Sequence, residues 1–152
     1  MTLKDRLQTD MKEALRSGDQ PRLSVIRLLR SSIKNREIEK GKGKPLTEEE
    51  LLQIIGSAIK QRRESIDLFA KGNRQDLVDK ERQEMEILQT YLPQPLSETE
   101  LREKIMAAIA EAGAASVKDM GKVMKLLMPQ VIGRAEGAQV SQMVKNLLEQ
   151  KS

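Results

Sequence analysis

The amino-acid sequence predicts an all-α protein, with a four-helix N-terminal region followed by a small three-helix C-terminal domain. Phe69 and Tyr91 are the only two aromatic residues in the chain, so the core has to be built from Leu, Ile, Val, Met and Ala, which suit helices. Apolar residues recur at spacings of three and four along most of the chain, which is the helical period. The alternating β-branched and aromatic runs that indicate strands are missing.

Two helices are predicted in the first 40 residues. Thr2 followed by Asp5 is typical of a helix start, and Asp19 followed by Pro21 is typical of another. The second helix should stop before the glycine- and lysine-rich segment 41–45, which we expect to be a flexible loop. A basic stripe runs along this second helix beside its apolar one, and its members are Arg27, Arg30 and Lys34.

A third and a fourth helix are predicted after this loop. The sequence Thr47-Glu48-Glu49-Glu50 is a capping box ahead of a long helix, from about Glu48 to Ala70. Arg62 falls in the apolar stripe of that helix, where we expect it to bury its stem and pair with a carboxylate; an anion site is the alternative. Asn73 is expected to cap the fourth helix, over about residues 74–90.

The segment Leu92-Pro93-Gln94-Pro95-Leu96 predicts a domain boundary. Its two prolines exclude a helix, so the segment has to be extended. We therefore expect an N-terminal helical domain at residues 1–92, a proline linker at residues 93–96, and a three-helix domain at residues 97–152.

Three further helices are predicted in the C-terminal domain. The run from Ser97 to Glu100 is another capping box, and Ser116 with Asp119 is expected to cap the sixth helix. We expect Pro129 to break that helix. The glycine-bracketed basic corner at residues 133–137 then leads into the last helix.

Composition excludes several kinds of chemistry. The chain has no cysteine and no histidine, which rules out disulfides, thiolate nucleophiles, Ser-His-Asp triads and the commonest metal ligands. Glu81 and Glu84 lie three residues apart and could share a metal or titrate as a pair, but such pairs are abundant on solvated helices. We expect no catalytic residue, no metal and no cofactor.

Charge and hydropathy limit the partners and the location. The net charge is +4, and residues 1–44 carry twelve Lys/Arg against six Asp/Glu, which is compatible with a polyanionic partner or with an ordinary solvated surface. No apolar run approaches the roughly 20 residues that span a bilayer. The amino terminus, MTLKDRLQTDMK, lacks the apolar core of a signal peptide. We expect a cytoplasmic monomer without a membrane partner.

The strongest functional candidate is a group of cations in the C-terminal domain. Neutralising phosphates requires several cations on one rigid face; a solvated face without a ligand is the alternative. Aromatic side chains for stacking are missing, so an RNA contact would depend on backbone and shape. The nearby Met120, Met124 and Met128 could line a groove for a partner helix or fill the core. The candidate RNA-binding residues are Lys118, Lys122, Lys125, Arg134 and Lys145.

Several short motifs together resemble the GatB/YqeY family over essentially the whole chain. The C-terminal half is similar to the tail domain of the B subunit of the tRNA-dependent amidotransferase, which converts Glu-tRNA(Gln) or Asp-tRNA(Asn) into the amidated form. The motifs are Arg74-x-Asp76-Leu77, Glu81-x-x-Glu84, Tyr91-Leu92-Pro93-x-x-Leu96-Ser97, Asp119-Met120-Gly121-Lys122-Val123-Met124 and Gly133-Arg134-Ala135.

This resemblance implies an all-helical fold and a tRNA or a tRNA-handling enzyme as the partner. In the large enzyme the tail is understood to hold the tRNA by its body, remote from the chemistry. Glutamine hydrolysis and phosphorylation of the acyl-tRNA lie in parts of that enzyme that this chain lacks, so we expect a non-catalytic accessory protein. The alternatives are a glutamine-dependent carbon–nitrogen ligase or a subunit of one, and a protein–protein adaptor.

Overall fold

The computed structural model describes residues 2–151 and confirms the all-α class. Across these residues the chain forms seven α-helices and one short 3₁₀ turn, and no strand. The helices are α1 (Leu3–Ser17), α2 (Gln20–Lys40), α3 (Glu48–Lys71), α4 (Gln75–Gln89), α5 (Glu98–Ala112), α6 (Met120–Val131) and α7 (Gly137–Lys151), with the 3₁₀ turn at Val117–Asp119.

The predicted helix starts are confirmed by hydrogen bonds of their capping side chains. Thr2 and Thr47 each accept from the backbone N–H three residues later, and the acidic side chains of Asp5 and Glu50 reach back to complete the capping boxes. Asp19 Oδ1 accepts from Arg22 N at 3.3 Å, and Ser97 Oγ accepts from Glu100 N at 3.1 Å. Each bond satisfies a backbone donor that the first helical turn leaves unpaired.

The chain divides into two compact units between Leu92 and Pro93. In the first unit, the apolar faces of α1, α2 and α3 enclose a core that is completed by residues from the end of α4. The fully buried members with large side chains are Leu7, Val25, Ile26, Leu29, Ile55 and Leu88.

The second unit encloses a separate core between α5, α6 and α7. Its buried residues are all aliphatic, namely Leu101, Ile105, Ala108, Ile109, Ala114, Val123, Leu127, Val131, Val140, Val144 and Leu148. Met120, Met124 and Met128 are partly buried and pack against this core. This packing supports the core-filling alternative for the three methionines.

The extended segment at residues 93–96, predicted as a linker, packs with the second unit. Leu96 contacts the second core, and its backbone N–H donates to the carbonyl of Arg134 at 2.9 Å. Arg134 Nε in turn donates to the carbonyl of Gln94 at 3.0 Å. An extended segment forms no hydrogen bonds within itself, so these bonds supply the partners that its backbone needs.

Pro129 does not break α6, contrary to the prediction. It lies inside the helix, which continues to Val131. Proline removes the hydrogen bond to the carbonyl four residues earlier, that of Lys125. Both Pro129 and Lys125 are exposed, so water can replace the missing donor and the helix persists for a further two residues.

Two other predicted caps are wrong in detail. Asn73 does not cap α4: it adopts a left-handed conformation with φ of 57°, and Arg74 is the capping position, without a side-chain hydrogen bond. Asparagine tolerates this conformation better than most residues, so it serves the turn. Ser116 caps the 3₁₀ turn by accepting from Lys118 N at 3.3 Å, while the capping position of α6 is Asp119.

Candidate nucleic-acid interface

Three of the candidate lysines are exposed on α6 and on the 3₁₀ turn that precedes it. The buried side of this helix is formed by Val123, Leu127 and Val131. With 100° between successive residues, Lys122 and Lys125 fall on the opposite side. Lys118, in the preceding 3₁₀ turn, is also exposed. We call Lys118, Lys122 and Lys125 the lysine face.

The lysine face forms no close ion pair with acids of its own unit. Within residues 2–151, none is found for Lys118, Lys122 or Lys125. Asp119 is the nearest acid in sequence, and its Oδ2 accepts a hydrogen bond from Ala115 N at 2.9 Å. That bond, chiefly, lowers the pKa of Asp119, and Lys122 adds a smaller electrostatic contribution. The carboxylate is thus used to fix the backbone that presents the lysines.

The two other candidates of the second unit are placed differently. Lys145 is exposed on α7. Arg134 is half-buried in the corner before α7, where its Nε bonds the Gln94 carbonyl. The neighbouring Gly133 adopts φ of 74°, a left-handed conformation that favours glycine. Part of the guanidinium is therefore committed to the fold of the corner, a role that charge and spacing in the sequence did not reveal.

The basic stripe of the first unit lies on a groove. Arg27, Arg30 and Lys34 are exposed on α2, and all three line an open groove between α1 and α2. Sequence periodicity placed these cations on one stripe, but it gave no indication that α1 forms the opposite wall.

Arg62 pairs with carboxylates, as predicted. Its Nη1 lies 3.1 Å from Glu81 Oε2 and 3.0 Å from Glu84 Oε2. The side chain of Glu84 is only 8% exposed. The two glutamates singled out as a possible metal or acid–base pair thus hold an arginine of α3. Within residues 2–151, no cluster of three or more acidic side chains suits a metal ion.

A second polar cluster was not predicted from the sequence. Tyr91 is buried, and its hydroxyl donates a hydrogen bond to the carboxylate of Asp10. The guanidinium of Arg6 lies 5.0 Å from the centre of the Tyr91 ring and donates to the Thr90 carbonyl at 3.2 Å. Burial raises the pKa of Tyr91 to about 12, with a further contribution from Asp10. These partners are more than 80 positions apart, so local sequence patterns could not reveal them.

The chain is thus a small all-helical protein with two mainly aliphatic cores and two surfaces that present cations to solvent. Residues 4–148 match the family model described as "Yqey-like protein". The chain belongs to the YqeY family.

Curated relatives of this chain are named "Altered inheritance of mitochondria protein 41, mitochondrial". The relative from Lachancea thermotolerans is 42% identical over 107 residues, covering 69% of this chain and 57% of the relative. The one from Eremothecium gossypii is 43% identical over 86 residues, covering 57% of this chain and 46% of the relative. The one from Pyrenophora tritici-repentis is 34% identical over 133 residues, covering 86% of this chain and 71% of the relative. The chain thus spans about half the length of the first two relatives.

The names of these relatives contradict the cytoplasmic location expected from the sequence. That expectation rested on the lack of apolar segments. Mitochondrial targeting segments are amphipathic and basic rather than apolar, so the lack of an apolar run gives no information about them. The structure itself adds one finding: no helix within residues 2–151 is long and apolar enough to cross a bilayer.

Proposed function

We propose that this protein is a non-catalytic RNA-binding accessory protein whose second unit binds the phosphate backbone of tRNA. The observation that supports this most directly is the lysine face: Lys122 and Lys125 are exposed on α6, Lys118 is exposed in the 3₁₀ turn before it, and no ion pair is found for any of the three within the described residues. Lys145 on α7 and the uncommitted N–H groups of Arg134 are further candidate contacts.

The physical case depends on the fixed positions of the cations. The helix that carries the lysine face is held by Val123, Leu127 and Val131, none of which has any exposed surface. The charges therefore lie on a rigid support. Binding to a polyanion would release counterions from the nucleic acid, which gives a strong dependence on salt. Both aromatic residues precede the second unit, so base stacking contributes nothing in that unit.

The choice of tRNA is supported by the resemblance of the sequence motifs rather than by the name of the YqeY family. The sequence resembles the tail domain of the B subunit of the tRNA-dependent amidotransferase, a domain that holds tRNA away from the reaction centre. The resemblance covers the tail and not the catalytic parts, so it supports a binding role and no step of amide transfer.

Titration of a tRNA transcript at several salt concentrations tests the proposal. We expect the double variant Lys122→Glu/Lys125→Glu to bind roughly tenfold more weakly than the wild type and to reduce the slope of log K against log salt by about 2. The control variant Lys60→Glu/Lys80→Glu makes the same change of charge at exposed positions on α3 and α4, and we expect a much smaller effect from it.

Equal losses in the two double variants would mean that only net charge matters and that the lysine face is not a site. An affinity of the wild type that does not change with salt would also overturn the proposal.

A further inference from the structure

The groove between α1 and α2 is a second surface with a concentration of cations. The two helices are joined by a short turn and pack side by side. Between them lies an open groove of about 870 Å³. Leu7 and Ile33, both buried, contribute apolar surface to its lining. Its cations are Lys4 from α1 and Arg27, Arg30 and Lys34 from α2.

The cations of α2 follow the groove along its length. Arg27 and Lys34 are seven residues apart, which separates them by about 10 Å along the helix axis. Arg30 lies between them, and its Nη1 is 2.9 Å from Met11 Sδ on α1. A single small anion could not reach both ends of this row. The row instead suits a ligand with several negative charges along an extended chain.

The groove continues past the end of α2. A neighbouring depression of about 740 Å³ shares Lys4, Lys34 and Glu37 with the groove and adds Lys42 and Lys44 from the loop. This loop, expected from the sequence to be flexible, is anchored by Lys40. The ammonium group of Lys40 donates to the Pro45 carbonyl at 2.9 Å and also pairs with Glu50. The loop lysines are thus presented on a tethered segment.

Two acids line the groove, and each already has a partner. Asp5 Oδ2 accepts from Thr2 N at 3.1 Å as part of the capping box of α1. Glu37 Oε1 lies 2.7 Å from Lys4 Nζ, and both of these side chains are substantially exposed. Among the described residues, no ion pair is found for Arg27, Lys34, Lys42 or Lys44. The groove therefore retains an excess of positive charge. Glu37 is paired with Lys4, the cation that α1 contributes to the groove.

We propose that this groove binds the phosphodiester backbone of RNA, and that Glu37 competes with the incoming phosphate for Lys4. Backbone phosphates repeat at every nucleotide, so they match a row of cations that extends from Arg27 to the loop. Neither aromatic residue lines the groove, which leaves recognition to charge and shape rather than base stacking. This inference does not depend on the lysine face, because the groove lies entirely in the first unit.

The test uses the full chain, a labelled tRNA transcript and two changes of opposite sign. We expect Arg27→Glu/Lys34→Glu to weaken binding roughly tenfold and to reduce the salt slope by about 2. We expect Glu37→Gln to strengthen binding by about twofold to threefold, because it frees Lys4 and removes a negative charge from the groove.

Two control variants separate the groove from general charge effects. Lys60→Glu/Lys80→Glu reverses two exposed cations elsewhere in the first unit. Glu39→Gln makes the same change as Glu37→Gln at a position of α2 that does not line the groove. Lys60→Glu/Lys80→Glu should leave the affinity within about twofold, and Glu39→Gln should leave it within about 1.3-fold. A Glu39→Gln effect equal to that of Glu37→Gln would overturn the role assigned to Glu37.

Further outcomes distinguish this inference from the proposed function. If Lys122→Glu/Lys125→Glu weakens binding while Arg27→Glu/Lys34→Glu does not, the groove is not an RNA site and the lysine face still is. The reverse result would support the groove alone. Poly-glutamate and unlabelled tRNA are also compared as competitors at the same total concentration of negative charge. If poly-glutamate displaces the labelled tRNA as effectively, the groove binds acidic polymers without selectivity and the assignment to RNA fails.

Discussion

The two units differ in whether polar and charged side chains pack together with the aliphatic core. The first unit adds to its aliphatic core an arginine held between two glutamates and a tyrosine bonded to an aspartate. In the second unit, every buried residue that the structure describes is aliphatic, and the charged residues lie outside the core. Charges in the first unit thus serve partly to hold the fold, whereas the lysine face of the second unit can be altered without disturbing its core.

The largest expected effect comes from opening a cavity in the second core. Leu127 is completely buried, and we expect Leu127→Ala to reduce the free energy of unfolding of this unit by about 3 kcal/mol. Because the interaction is apolar, the loss should be independent of pH and salt. Amide hydrogen exchange in α5, α6 and α7 measures it separately from the first unit. The control Met106→Ala, at a position that is 53% exposed, should change stability by less than about 0.5 kcal/mol.

Removing the half-buried Arg62 of the first unit should have the next largest effect. Arg62→Met leaves Glu81 and Glu84 facing each other with little solvent around them, and we expect a loss of about 2–3 kcal/mol at neutral pH. Urea unfolding at pH 7 measures this loss.

A triple variant tests the origin of that loss. Arg62→Met/Glu81→Leu/Glu84→Leu removes all three charges, and it should be much closer to the wild type than Arg62→Met alone. If the triple variant is as unstable as the single one, the arginine acts through its packing rather than through its charge.

The buried tyrosine of the first unit should give stability a dependence on alkaline pH. In the unfolded chain Tyr91 ionises near its ordinary pKa of 10, and in the folded protein at about 12. The stabilisation is therefore complete below pH 10 and is lost as the pH rises toward 12. We expect this to amount to about 1–2 kcal/mol.

Tyr91→Phe isolates this contribution from the deprotonation of lysines. The variant should be less stable at pH 8, because Asp10 loses its donor, but its stability should fall less steeply between pH 10 and 12. Identical slopes for the two proteins would show that the tyrosine does not titrate as the structure indicates.

The smallest expected effect concerns one helical glycine in each unit. A Cβ atom added at Gly56 in α3 or at Gly121 in α6 would meet no atom within 4 Å. Alanine should therefore stabilise the helix, by about 1 kcal/mol in the middle of α3 and by about 0.5 kcal/mol in the first turn of α6. Thermal unfolding of the two variants provides the measurement. A decrease in stability at either position would reveal packing that the structure does not show.

The helices and most of their starts could be predicted because they depend on local chemistry. The spacing of apolar residues and the choice of capping residue act within one or two helical turns. The structure confirms Asp19 and Thr47 as the caps of α2 and α3. Pro129 shows the limit of local rules: a proline usually ends a helix, but here the exposed carbonyl of Lys125 can be satisfied by water. The proline rule considers only the lost hydrogen bond and takes no account of whether the residue that loses its donor is exposed, so the rule alone ends the helix too early.

The candidate surfaces were predictable only in part, for the same reason. The spacing of Lys118, Lys122 and Lys125 follows from the helical period, so their shared face could be derived. The commitment of Arg134 to Gln94, and the wall that α1 adds to the groove, depend on contacts between residues distant in sequence. Whether either surface binds RNA stays a prediction.

The hydrogen bonds between the extended segment and the corner before α7 determine at which residue a fragment containing the second unit should begin. A fragment that starts at Ser97 would lack Gln94, the acceptor of the Arg134 side chain, and Leu96, whose backbone bonds the Arg134 carbonyl and whose side chain packs on the core. A fragment that starts at Pro93 keeps all of these contacts. Expression of the C-terminal region for crystallisation or NMR should therefore begin at the proline rather than at the first residue of the capping motif.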